Sequence, residues 1–225
     1  MDLDLAEFVD NPESRCPVIL LLDTSDSMKG APIAELNSGL AAFKYYVEED
    51  PIAALRVDLA IITFGGEAKI LQNFKTIDQF TAPQLEAHGN TPLGHALKLG
   101  LDLLESRKDS YKRNGISYYR PWLFLMTDGA PTDGMLWYEN ATLAQKQDEE
   151  GKLSLYTIAV KGADMRILTQ IAPAHRPPFL LKDLKFQELF QWLSASIRHV
   201  SNSSPSGEHH MLSLPSIRDW AETSS

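Results

Sequence analysis

The run Asp23-Thr24-Ser25-Asp26-Ser27 stands directly after the apolar stretch Pro17-Val18-Ile19-Leu20-Leu21-Leu22. Two hydroxyls two residues apart beside a carboxylate offer hard oxygens of low total charge. That is the donor chemistry of a Mg²⁺-type site, which keeps several waters and takes few carboxylates. Two further oxygen groups stand at comparable places later in the chain. Thr91 precedes Pro92 and an apolar helical stripe, and Asp128 follows the apolar run Pro121-Trp122-Leu123-Phe124-Leu125-Met126-Thr127. Open α/β sheets bind their ligands beyond the carboxyl ends of strands, at the switch point. Asp23, Ser25, Ser27, Thr91 and Asp128 can therefore meet at one sheet edge and, with waters, complete an octahedral shell.

The elements that must carry these residues alternate through the middle of the chain. Ile33, Leu36, Leu40, Phe43 and Val47 recur at helical spacing, and Asp50-Pro51 ends that helix. Residues 56–64 read as a strand buried on both faces near its end. Gly65-Gly66 turns it into Ala68-Lys69-Ile70-Leu71, and so short a connection demands an antiparallel edge strand. Helices are expected over 92–104, 137–150 and 165–171, strands at 121–127, 153–160 and near 179–181, and a last helix from Phe186 to Val200. The fold class is thus α/β: a doubly wound, Rossmann-like, mostly parallel six-stranded sheet with one antiparallel edge strand and helices on both faces. The expected organisation is an N-terminal segment over 1–13, one domain over 14–200, and a linker with C-terminal tail over 201–225. The linker reading rests on Ser201-Asn202-Ser203-Ser204-Pro205-Ser206-Gly207.

Asp23-Thr24-Ser25-Asp26-Ser27-Met28, Gly89-Asn90-Thr91-Pro92-Leu93 and Thr127-Asp128-Gly129 together resemble the von Willebrand factor type A (VWA) domain with a metal-ion-dependent adhesion site, over roughly residues 14 to 200. The runs around Phe64-Gly65-Gly66 and Met126–Asp133, with the late Leu214-Pro215, look like the bacterial TerY/YegL-type branch. The resemblance implies that Ser25, Ser27 and Thr91 hold a divalent cation, most simply Mg²⁺, with Mn²⁺ and Ca²⁺ also suited. It implies that Asp23 and Asp128 act largely through water, and that a partner's Asp or Glu fills the open position. It further implies a cytoplasmic, metal-dependent protein–protein binding role in tellurite-resistance or stress-response systems, beside a protein kinase or phosphatase.

Composition sets the other bounds. The formal net charge of −9 disfavours nucleic acid and anionic membrane, which reward clustered Lys and Arg. It suits a basic partner, a cation-bridged one, or solubility alone. No apolar run reaches the ~20 residues of a membrane span. The acidic first residues lack the basic and apolar regions of a secretory signal. The single cysteine, Cys16, opens an apolar strand, where packing is its expected role.

Each residue also has a plainer reading. Asp23-x-Ser25-x-Ser27 makes a favourable strand-end turn, Asp128-Gly129 is a common turn pair, and Thr91 suits a helix N-cap with or without a second role. Asp26 and Asp133 read as solvated carboxylates, and His95 as packing or surface. Trp137-Tyr138 serves either as an exposed interface anchor or as packing under the loop. His209-His210 falls in the tail. An enzyme is not expected. No phosphate loop or Gly-x-Ser-x-Gly elbow is present, and Ser25 stands where a haloacid-dehalogenase-type phosphatase needs its second Asp. The alternatives are Mg²⁺-dependent phosphoryl transfer or hydrolysis, and a scaffold with a vestigial site.

Overall fold

The computed structural model describes residues 3–201 and 215–223. Its strands are β1 (Cys16–Asp23), β2 (Val57–Gly65), β3 (Glu67–Thr76), β4 (Trp122–Thr127), β5 (Ser154–Ala159), β6 (Phe179–Leu181) and β7 (Ala221–Thr223). Its helices are α1 (Leu3–Asp10), α2 (Ala31–Glu48), α3 (Pro51–Arg56), α4 (Leu93–Arg113), α5 (Leu136–Glu149), α6 (Met165–Ile171) and α7 (Phe186–Ser201). The sheet runs β3-β2-β1-β4-β5-β6-β7. The inner strands β2, β1, β4, β5 and β6 are parallel, and β3 and β7 close the two edges antiparallel.

The α/β architecture follows from β1, β2 and β4, which are buried along their whole length. A strand with no polar face must be covered on both sides, and only helices on both faces can do that. Successive side chains divide between two cores. Val18, Leu20 and Leu22 pack with Leu36, Phe43 and Phe190 on the α2–α7 side, and Ile19 and Leu21 pack with Leu97, Leu101 and Ala144 on the α4–α5 side. Gly94 lets α4 meet α5, since a Cβ there would lie 2.3 Å from the Trp137 backbone nitrogen.

Three elements go beyond the sequence reading. α1 is fixed by Glu7 and Phe8. Arg107 pairs with Glu7 and with the buried Asp58, and Phe8 packs edge-on against Tyr111 at 5.8 Å. α3 starts at the same Asp50-Pro51 that ends α2, because the Asp50 carboxylate accepts from Ile52 N and Ala53 N. β7 adds a seventh strand and a second antiparallel edge, drawn from the tail. Cys16 is fully buried, and burial pushes its thiol up to about 12, the environment of an inert packing residue.

Candidate functional site

β1 and β4 are neighbours, and the chain leaves them toward opposite halves of the sheet. Their carboxyl ends therefore form the crevice of the switch point. Asp23 is the last residue of β1, and Asp128 is the first beyond β4. Asp23 is wholly buried, and one of its oxygens accepts from Ser25 N at 2.8 Å while the other accepts from the Thr127 hydroxyl. Ser25 and Ser27 join hydroxyl to hydroxyl at 2.9 Å, and Ser27 Oγ donates to Asp128 Oδ1 at 2.6 Å.

Thr91 enters from a third segment. The stretch before it is strapped to the β1 and β2 ends by backbone bonds: His88 N to Thr24 O at 2.7 Å, Asp26 N to Gly89 O at 2.8 Å, and Gly66 N to Asn90 O at 2.8 Å. Thr91 then pairs with the β4–α5 loop in both directions, donating its N–H to Thr132 Oγ1 at 3.0 Å and accepting from Thr132 N at 2.9 Å. It makes no side-chain cap on α4, whose N-cap position falls on Pro92. A Cβ at Gly129 would lie 3.0 Å from Thr91 Oγ1 and 3.5 Å from Asp23 Oδ2, so this glycine keeps the crevice open. All five residues singled out by spacing are thus brought to one place.

Their electrostatics are those of a desolvated acid pair. Burial raises the Asp23 carboxyl above its ordinary range, the hydrogen bonds from Ser25 and Thr127 pull it back, and the Asp128 charge adds to the rise. Burial likewise raises Asp128, against the pull of the Ser27 hydroxyl.

The expected divalent cation does not follow from this geometry. Among the described residues no group of three or more His, Cys, Asp or Glu side chains is placed to hold a metal ion. Only two carboxylates meet here, and their neighbours already engage them: Asp23 accepts from Ser25 N and the Thr127 hydroxyl, while Ser25, Ser27 and Asp128 Oδ1 form a short hydrogen-bonded chain. Mg²⁺, Mn²⁺ and Ca²⁺ are accordingly not supported as cofactors. The metal-bridged Asp or Glu of a partner falls for the same reason, as does Mg²⁺-dependent phosphoryl chemistry.

Two neighbours of the site differ from their sequence reading. Asp133 is not a solvated carboxylate. Its side chain is only 7% exposed, and Oδ2 accepts from His95 N at 2.9 Å and lies 3.1 Å from His95 Nδ1. It thereby closes the first turn of α4 from the β4–α5 loop, and its Oδ1 is buried without a hydrogen-bond partner. Sequence offers a faint signal for this, since an acidic residue near a helix start is favoured wherever it sits in the chain. Trp137 and Tyr138 divide the two roles open to them: Trp137 packs against the α4 core, while Tyr138 is 46% exposed beside Met135 at 62%. Asp26 is exposed and paired with Lys29 at 2.6 Å. His209 and His210 lie outside the described residues.

The seven-stranded sheet with a polar crevice at its switch point defines an α/β domain of the doubly wound class. The chain belongs to the von Willebrand factor type A domain family, whose sequence pattern matches residues 18–192. No curated protein matches it significantly in sequence. Similar solved structures include the pilus adhesin SpaC from Lactobacillus rhamnosus GG in its open conformation, 12% identical, with a TM-score of 0.64 over 82% of this chain and 30% of that one. Proximal thread matrix protein 1 from the mussel byssus is 18% identical, with a TM-score of 0.56 over 83% and 48%. The vWF domain of the type V pili tip protein Mfa5 from Porphyromonas gingivalis is 12% identical, with a TM-score of 0.58 over 85% and 98%. The chain thus spans less than half the length of the first two. Two are pilus proteins and one is a byssus matrix protein, and at these identities the likeness shows the fold alone.

The narrower expectations are corrected at the same point. The family match is to the VWA domain as such, and it does not support the TerY/YegL-type assignment. Tellurite resistance, stress response and a kinase or phosphatase partner go with it. The cytoplasmic expectation is also dropped, because the structural neighbours are pilus and byssus proteins; at these identities they share the fold and assign no compartment. No described helix is long and apolar enough to cross a membrane.

Proposed function

We propose that this chain is a non-catalytic protein–protein interaction module, with its domain over 14–200, that docks a partner on the carboxyl edge of the sheet around Asp23, Ser25, Ser27, Thr91 and Asp128. The observation that carries the reading is one of layout. A rigid, internally bonded polar centre lies beside an exposed apolar pair, Met135 and Tyr138, on the loop and helix start that follow Asp128. Anchoring aromatics around a desolvated polar centre is how interfaces concentrate their binding energy. Ser27 is the exposed member of the centre and is the group a partner would meet first. Recognition here is by direct hydrogen bonds and apolar contact.

The test is site-directed crosslinking. A photoreactive amino acid replaces Tyr138 in one protein and Leu71, on β3 at the far edge, in another. A partner captured from Tyr138, not from Leu71, undiminished by EDTA and lost on adding Ser27→Ala with the fold intact, supports the reading. Equal capture at both positions, or capture indifferent to Ser27→Ala, overturns it.

A further inference from the structure

The edge of β6 holds a second recognition surface, and its occupant in the structure is the chain's own tail. Residues 221–223 pair with β6 in the register Phe179↔Thr223, Leu180↔Glu222 and Leu181↔Ala221. Trp220 is 1% exposed and sits against Trp192, with ring centroids 5.2 Å apart, and edge-on to Phe179 at 5.7 Å. The other contacts reach backbone carbonyls of the tail. Trp192 Nε1 donates to Pro215 O at 2.8 Å, Lys182 Nζ to Arg218 O at 2.9 Å, Lys185 Nζ to Asp219 O at 3.0 Å, and Lys182 N to Trp220 O at 2.9 Å. Main-chain pairing plus one deep anchor is the grammar of strand addition to a sheet edge.

Two facts separate this segment from the domain that receives it. The VWA match ends at residue 192, so the receiving surface lies within the domain and the inserted strand lies beyond it. Thirteen residues, Asn202 to Leu214, stand between Ser201 and Pro215, rich in serine and containing both proline and glycine. The anchor also fits incompletely, because Trp220 Nε1 is buried with no partner.

We infer that residues 215–223 form an exchangeable strand that seats equally on β6 of a second copy of this chain, so that the chain self-associates by trading its C-terminal strands. Every contact above is made by atoms that a second copy supplies identically, so the tether and the protein concentration decide between the closed monomer and the exchanged dimer. Return of the chain's own strand across a tether of this length corresponds to an effective concentration on the order of millimolar, and dilute protein stays closed. Dense packing of copies at comparable concentration opens the exchange. This surface is separate from the carboxyl edge proposed above for a partner.

The experiment removes residues 202–213. Trp192 binds Pro215, and the nine residue steps from Trp192 to Ser201 rise about 13.5 Å along α7. The one linker residue left spans about 7.6 Å across two peptide units, too little to return. The expected product is a dimer by light scattering with tryptophan emission unchanged, and Trp220→Ala in the same background restores the monomer. A folded monomer with exposed tryptophan overturns the inference, as does a dimer indifferent to Trp220→Ala. Should the deletion fail to fold, a labelled peptide of residues 215–223 is titrated onto the full chain carrying Trp220→Ala. Saturable binding, at least about tenfold tighter than that of the alanine peptide, supports the inference, and absent or equal binding overturns it.

Discussion

Ser27 and Asp128, 101 positions apart in sequence, are joined by a hydrogen bond of 2.6 Å that ties the loop after β1 to the loop after β4. It is the closing link between the two neighbouring strand ends. Ser27→Ala leaves Asp128 without this donor and should lower stability by about 1–3 kcal/mol, as expected for a desolvated acceptor deprived of its partner. Urea unfolding followed by circular dichroism measures it, and a change below a few tenths of a kcal/mol contradicts the link.

The acid pair predicts a pH response. Both carboxyls titrate above their ordinary range because burial penalises the charged form. Between the unfolded value near 3.8 and the raised folded value, the native state binds more protons than the unfolded one. Stability therefore falls as pH rises through that window and stays reduced above it. Asp128→Asn keeps an acceptor for Ser27 and removes the charge. It should raise the melting temperature at pH 7 by about 2–4 °C, with the gain shrinking as pH falls through that window and lost once pH is below the unfolded value of 3.8. A gain independent of pH would refute the assignment.

At the opposite end of β2, Arg107 holds Asp58 and Glu7 together. Asp58 is wholly buried. Arg107→Ala leaves its carboxylate without the Arg107 cation and should cost about 3–5 kcal/mol. Hydrogen exchange should show α1 released along with it. A loss below 1 kcal/mol would mean that the pair contributes little.

Gly94 tests how tightly α4 and α5 fix the site. An added Cβ would lie 2.3 Å from Trp137 N. Gly94→Ala should cost about 1–3 kcal/mol or more through overpacking, and should shift the near-ultraviolet circular dichroism of Trp137. An unchanged spectrum and melting curve would show that the helices have room.

Sequence carries the long buried strands and the switch-point geometry because both are written in local pattern. Apolar runs such as those ending at Asp23 and Thr127 have one way to be covered, and the crevice between them follows. α1 and α3 escape notice since eight and six residues give too little period, and their anchors, Arg107 and Asp50, act through tertiary or capping contacts. β7 escapes for the same reason: three residues acquire meaning only against β6. Asp133 is invisible as a cap because His95, in the first turn of the helix that it closes, lies 38 residues earlier in the chain. Spacing brings the five oxygen-bearing residues together, but it does not reveal that Asp23 is held by Ser25 N and Thr127 while Ser27 links Ser25 to Asp128.

The clasp of α1 by Arg107 sets how the domain can be mounted. Asp58 stands near the amino end of β2, level with Pro17, and the rise of β1 from there places Asp23 about 20 Å away at the other pole. Whatever is joined ahead of Glu7 is thus attached at the foot of the sheet. A bead, a membrane tether or a neighbouring domain fastened there would present the Ser27–Tyr138 edge outward, like the face of a lamp on its stand.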